Sequence, residues 1–249
     1  MTLVANAGVL LEYEGTALLL DGVFGPEGHP FSAPSEESRE ALLAGRAPFE
    51  RLDYLLFTHL HPDHLSLPMT EELLRRRAVR GVFLPDTGAV RESGLTDLLR
   101  ERGVPGALLS DRTDRARYQI EPGICVRAFR TRHLDKKFEH VEHFCYVLTF
   151  GEKRLAFTAD VDYVNEDLRS LGGERLRAVF VNPLFFSALR TGRFFRGELN
   201  TESIVVYHVP FDGDDATGHR ARLQRDLARW DRERPDALAL TEPFQRLIL

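Results

Sequence analysis

Residues 53–57, Asp-Tyr-Leu-Leu-Phe, break off into Thr58-His59-Leu60-His61-Pro62-Asp63-His64. Large apolar side chains over so few positions predict a buried strand, and the polar residues that follow predict a loop at its C-terminal end. That is the end where α/β folds tend to place chemistry. His59 and His61 alternate, so an extended loop turns both rings to one side. Pro62 bends the chain and re-aims Asp63 and His64. The chain has nine histidines in 249 residues, so three of them within positions 59–64 point to a metal-binding loop rather than chance polarity. Imidazole suits zinc, and a carboxylate beside it suits a harder or a second metal.

The segment at 58–64 resembles the THxHxDH signature of the metallo-β-lactamase superfamily. The resemblance implies an α+β fold, a four-layer αββα sandwich of two mixed β-sheets flanked by helices, as a single domain over residues 1–249. It also implies a binuclear centre, which needs about seven protein ligands if water and substrate are to keep room. His59, His61, Asp63 and His64 supply four. His133, Asp160 and His208 stand in the right order for the rest, each at a strand end. Asp160, in Leu155-Ala156-Phe157-Thr158-Ala159-Asp160, resembles the family's strand-to-TGD motif, with Ala159 replacing the usual Gly. His208, in Val205-Val206-Tyr207-His208-Val209-Pro210, resembles the family's last histidine. His133 follows a strand directly and is the choice for the third histidine. His140 competes: it stands about as far before Asp160 as the family's Gly-His-Thr histidine does before its aspartate, though that pattern is absent here. His143 opens a strand and reads as a surface or supporting residue. The resemblance then implies one metal on His59, His61 and His133, and another on Asp63, His64 and His208, with Asp160 bridging. Asp21, at the end of a strand, would orient the metal loop, or would simply form a turn.

Elsewhere, residues 9–13 and 17–21 predict a hairpin around Gly15. Ser35 predicts the cap of a helix to residue 44, closed by Gly45, and Thr70 the cap of a helix at 71–79. Residues 82–85, 124–129, 144–150, 154–157, 178–183, 204–208, 237–241 and 246–249 read as strands. Residues 95–102 and 216–232 read as helices, and 112–117 as a charged connection. His29 lies in a Gly- and Pro-rich loop and reads as a surface histidine.

Hydrophobic residues at 43% and charged ones at 29% describe a globular chain, and the net charge of −5 argues against a protein that grips long nucleic acid by its phosphates. No apolar run reaches membrane-spanning length and the N-terminus lacks a basic n-region, so a cytoplasmic location and no membrane partner are expected. Cys125 and Cys145 lack metal-site spacing and read as reduced thiols. A small-molecule substrate is expected, nucleic acid is not, and a homo-oligomer is compatible.

Two divalent ions, zinc first with manganese or iron compatible, would lower the pKa of a shared water. Asp63 is the candidate catalytic residue, orienting that nucleophile and taking its proton. Two dications less Asp63, Asp160 and hydroxide leave a formal charge of about +1, which favours an anionic ester. A phosphodiester comes first, with a lactone, thioester or amide next. Readings from other classes are a non-catalytic metal sensor or scaffold, and a di-iron oxidoreductase. Against the last stands His61, where the resembling flavodiiron proteins have Glu. His140, His143 and Tyr163 are candidates for the leaving-group acid. Lys136, Lys137, Arg190, Arg193 and Arg196 read as a substrate rim or as ordinary solvent-facing charge.

Overall fold

The computed structural model of the chain describes residues 1–163, 166–188, 191–230 and 235–249. They form two compact units, Met1–Arg112 with Pro243–Ile248, and Thr113–Glu242 with Leu249.

The first unit carries a six-stranded sheet in the order β1 (Thr2–Leu3), β2 (Val9–Tyr13), β3 (Thr16–Leu20), β4 (Tyr54–Leu56), β5 (Gly81–Pro85), β6 (Gly106–Leu109). β1 to β3 pair antiparallel and β3 to β6 parallel. The β2–β3 turn holds Glu14 at φ 45° and Gly15 at φ 81°, the left-handed pair of a two-residue hairpin. β4 and β5 are buried at every position, as parallel strands covered on both faces should be. Helices α1 (Glu36–Ala44), α2 (Leu67–Arg76), α3 (Gly88–Glu92) and α4 (Leu95–Glu101) belong to this unit. Leu42, Leu73, Leu98 and Leu99 from them pack into one core with Leu19, Leu55 and Val82 from the strands.

Ser35 caps α1 and Gly45 ends it at φ 66°. α2 starts earlier than the sequence predicts. Ser66 is its cap, with Pro68 in the first turn, and Thr70 is buried inside the helix with its hydroxyl donating to the Ser66 carbonyl at 2.8 Å. A proline near the N-terminus leaves no needed N–H unpaired, which lets the helix begin before Thr70. Arg75 and Arg76 pair with Glu71 and Glu72 four residues back, each at 2.6 Å. Arg77 instead donates to the Leu42 carbonyl at 2.9 Å, near the C-terminal end of α1.

The second unit carries a seven-stranded sheet in the order β13 (Asp236–Ala239), β12 (Ser203–Val206), β11 (Ala178–Val181), β10 (Lys153–Phe157), β9 (His143–Phe150), β8 (Ile124–Thr131), β7 (Arg117–Glu121). β7 to β10 pair antiparallel and β10 to β13 parallel, so it repeats the first sheet's plan. Here lie α5 (Pro183–Ser187), α6 (Thr191–Arg193) and α7 (His219–Ala228). Phe185, Phe186 and Phe195 pack with Trp230 and Leu223 over Val179, Val181 and Ile204.

Three expectations are corrected. Arg117, read as the end of a charged connection, opens edge strand β7, whose partly exposed side chains give no clear apolar period. Residues 246–249 form no strand beyond one bridge between Thr2 and Arg246. α7 is shorter than residues 216–232: Gly218, at φ 72°, precedes it, and residues 231–234 lie outside those described. Among the described residues no helix is long and apolar enough to cross a membrane.

Candidate metal centre

In the first unit, parallel neighbours β3 and β4 end at the same edge, with Leu20 opposite Leu56. The residues just beyond, Asp21 and Thr58, therefore meet. Asp21, fully buried at φ 47°, accepts from Thr58 N at 2.8 Å, from Thr58 Oγ1 at 2.6 Å and from His64 Nδ1 at 2.9 Å. It braces the loop from within rather than making a plain surface turn.

These bonds orient the rings of His59 and His64. The carboxylate of Asp21 only accepts, so His64 donates from Nδ1 and turns Nε2 toward Asp63. Thr58 gives its one hydroxyl proton to Asp21, so its oxygen accepts from His59 Nδ1 at 3.0 Å, which leaves His59 Nε2 turned toward His61. That nitrogen lies 3.0 Å from His61 Nδ1, and His64 Nε2 lies 3.5 Å from Asp63 Oδ2. His59, Asp63 and His64 are buried and His61 is half-buried. The loop thus presents two donor pairs, His59 with His61 and Asp63 with His64.

In the second unit the register does the same work. Phe157 of β10 is paired with Phe180 of β11, and Val181 with Val206 of β12, so all three strands end together. Asp160, Asn182 and His208 follow those ends, and His208 Nε2 lies 3.4 Å from Asp160 Oδ1. β8 runs opposite β9, pairing Thr131 with His143, and β9 runs opposite β10, pairing Tyr146 with Phe157. The end of β8 therefore arrives beside the end of β10. His133 bridges to Val161 there, with Nε2 3.7 Å from Asp160 Oδ2. Its Nδ1 donates to the Leu134 carbonyl, an acceptor-only group, which leaves Nε2 as the nitrogen turned toward Asp160.

The other candidates separate clearly. His140 is exposed on the loop before β9. His143 is fully buried rather than a surface residue, its ring perpendicular to that of His133 at 5.6 Å. Tyr163 stacks on Phe185 at 5.6 Å. His29 Nε2 donates to the Gly25 carbonyl at 2.7 Å within its own loop. Lys136 and Lys137 are exposed, Lys137 pairing with Asp135 at 3.3 Å. Arg193 is exposed; Arg190 and the side chain of Arg196 lie outside the described residues.

Two features escape the sequence reading. Ala159 adopts φ 44° and His208 φ 60°, left-handed conformations that cost an ordinary residue about 1 kcal/mol or more. The glycine usual at position 159 would adopt this freely, so Ala159 keeps the backbone and bears the strain. Asn182 helps to hold it. Its Nδ2 donates to the Ala159 carbonyl at 2.9 Å while its Oδ1 accepts from Phe185 N at 2.8 Å. The signal lies in Asn182-Pro183 directly after a strand, a cap followed by a first-turn proline. The next carbonyl, Asp160's, accepts from Leu134 N at 2.6 Å.

The donors suit a divalent metal in either unit. In each unit imidazoles lie next to a carboxylate, and His59, His64 and His133 have Nδ1 held by an acceptor so that Nε2 faces the other donors.

Comparison with known proteins supports the architecture. At 14% identity the chain is similar to the metallo-β-lactamase fold protein YhfI from Bacillus subtilis, with a TM-score of 0.64 over 96% of this chain and 90% of that one. It is also similar to CmlA, a diiron β-hydroxylase from Streptomyces venezuelae, at 20% identity and a TM-score of 0.60 over 96% of this chain and 52% of that one. Among curated proteins it is 29% identical over 166 residues to the 4-amino-L-phenylalanyl-[CmlP-peptidyl-carrier-protein] 3-hydroxylase of Streptomyces venezuelae, spanning 63% of this chain and only 28% of that one. The two mixed sheets with flanking helices are those of the metallo-β-lactamase fold. A family model, the β-lactamase superfamily domain, matches residues 16–192, well over half of the chain, and to that family the chain belongs.

Proposed function

We propose that the chain is a metal-dependent hydrolase in which His59, His61, Asp63, His64, His133, Asp160 and His208 hold two divalent ions. Proton placement carries this reading. His59, His64 and His133 each donate from Nδ1 to an acceptor, which turns Nε2 toward the neighbouring donors, the orientation a metal requires. When bound, such ions supply Lewis acidity and bring the pKa of a water down to about 7.

Asp63 is buried beside His64 Nε2, where its carboxylate orients the attacking water and takes its proton. Asp21 keeps His64 turned, and the loop at 158–160 keeps Asp160 facing His133 and His208. Two carboxylates against two dications leave the site positive, which favours a small anionic ester. A phosphodiester comes first, since a two-metal site suits both oxygens of an in-line displacement. A lactone or thioester is next.

A second reading is an oxygen-activating hydroxylase that holds iron. It is favoured by the 29% identical relative, a 3-hydroxylase, and by the similar diiron β-hydroxylase structure.

Elemental analysis with bis(p-nitrophenyl) phosphate turnover, on wild type and Asp160→Ala, tests both. The hydrolase reading expects about two metals per chain and turnover that falls to background in the variant. Two irons, no hydrolysis and reductant-dependent oxygen consumption would move the assignment to the hydroxylase. A protein that takes up no metal on reconstitution would end both.

A further inference from the structure

β8, β9 and β10 bring three buried polar side chains and one backbone carbonyl together behind the His133 and Asp160 pair. Thr131 ends β8, directly opposite His143, and Cys145 lies two residues further along β9 on the same face. Thr158 follows β10. Thr131 Oγ1 lies 2.7 Å from His143 Nδ1 and 3.4 Å from Cys145 Sγ, and the thiol donates to the Thr158 carbonyl at 3.5 Å. All four residues are at most 4% exposed.

The chain closes in one direction. Cys145 has one proton and gives it to the Thr158 carbonyl, so its sulfur accepts from Thr131. The Thr131 oxygen then accepts from His143 Nδ1. This thread crosses three strands, with Thr131 two residues before His133 and Thr158 two before Asp160. The Ala159 and Asp160 carbonyls are held by Asn182 and Leu134. The Thr158 carbonyl accepts from Val161 N at 3.2 Å within the turn, and Cys145 adds a second donor to it from the neighbouring strand.

We propose that Cys145 is a positioning residue, whose thiol ties the strand ends that carry His133 and Asp160 into one metal-ready arrangement. Its relevance to metal rests on the proposed metal centre, but the tie itself belongs to the metal-free chain. Burial pushes the thiol up to about 12, so it acts as an S–H donor rather than as a thiolate nucleophile or ligand.

The test compares Cys145→Val, which fills the space without a donor, with Cys145→Ser, which restores one. In the metal-free protein, amide exchange is read at Leu134 and Asp162, whose N–H groups bond to the Asp160 and Arg132 carbonyls. Cys145→Val should exchange about tenfold faster there, with the rest of the sheet unchanged, and Cys145→Ser should match wild type. Zinc affinity by chelator competition should fall about tenfold in the Val variant and recover in the Ser variant, within the range for supporting groups.

Unchanged exchange at both amides in a folded Cys145→Val protein would overturn the proposal. So would equal loss in both variants with a matching fall in global stability, which would make Cys145 plain packing. A wild type that binds no zinc would end the metal reading, while the exchange result would still decide the tie.

Discussion

At the scale of single residues, the proposed metal centre depends on which nitrogen each imidazole turns toward it. Asp21 decides this for His64 directly and for His59 through Thr58. Asp21→Asn keeps the shape but puts an amide N–H donor where Oδ2 accepts. His64 can then no longer donate from Nδ1, so its proton moves to Nε2 and occupies the metal-facing position. Zinc affinity should fall about 10- to 100-fold, and ¹⁵N shifts of the His64 ring should report the exchanged tautomer in the metal-free protein. Unchanged shifts would show that Asp21 merely packs. The same scale explains Ala159. A left-handed alanine persists because neighbours hold the carbonyls around it, so surrounding bonds outweigh a local cost of about 1 kcal/mol.

At the scale of elements, a strand end, a cap and a short helix act together. α5 is five residues long, too short to persist on propensity alone. Asn182 starts it and also holds the Ala159 carbonyl of the neighbouring strand end. Asn182→Ala removes the cap, worth about 1 kcal/mol, and leaves a buried carbonyl without its donor, worth about another 1 kcal/mol or more. Urea unfolding should register a loss of about 2 kcal/mol. A loss under about 0.5 kcal/mol, the level of an ordinary surface change, would mean that water replaces the amide. α2 shows how an element boundary escapes sequence reading. Thr70 and Ser66 are both good caps, and only the helix's actual start selects between them.

For the whole molecule, a ligand that binds only the folded chain stabilises it by mass action. Zinc at 100 times its dissociation constant should add about 2.7 kcal/mol, so stripping it with EDTA should lower Tm and adding zinc back should restore it. Asp160→Ala should show neither effect. A melting curve that ignores both chelator and zinc would contradict the metal reading. The sequence by itself determined what depends on near neighbours: the buried strands, the hairpin turn at Glu14 and Gly15, the cap at Ser35, and the dense donor loop at 59–64. It left open what depends on strands far apart in the chain. His133 is the choice for its place after a strand but His140 competes, and His143 reads as a surface or supporting residue. Only the antiparallel register of β8, β9 and β10 brings His133 to Asp160, buries His143 behind it and leaves His140 in solvent. Asn182 likewise gains its second role because β10 and β11 end together. Side-chain period and capping are local and legible in a window of residues, whereas register is set by pairing across the sheet and fixes which strand ends meet.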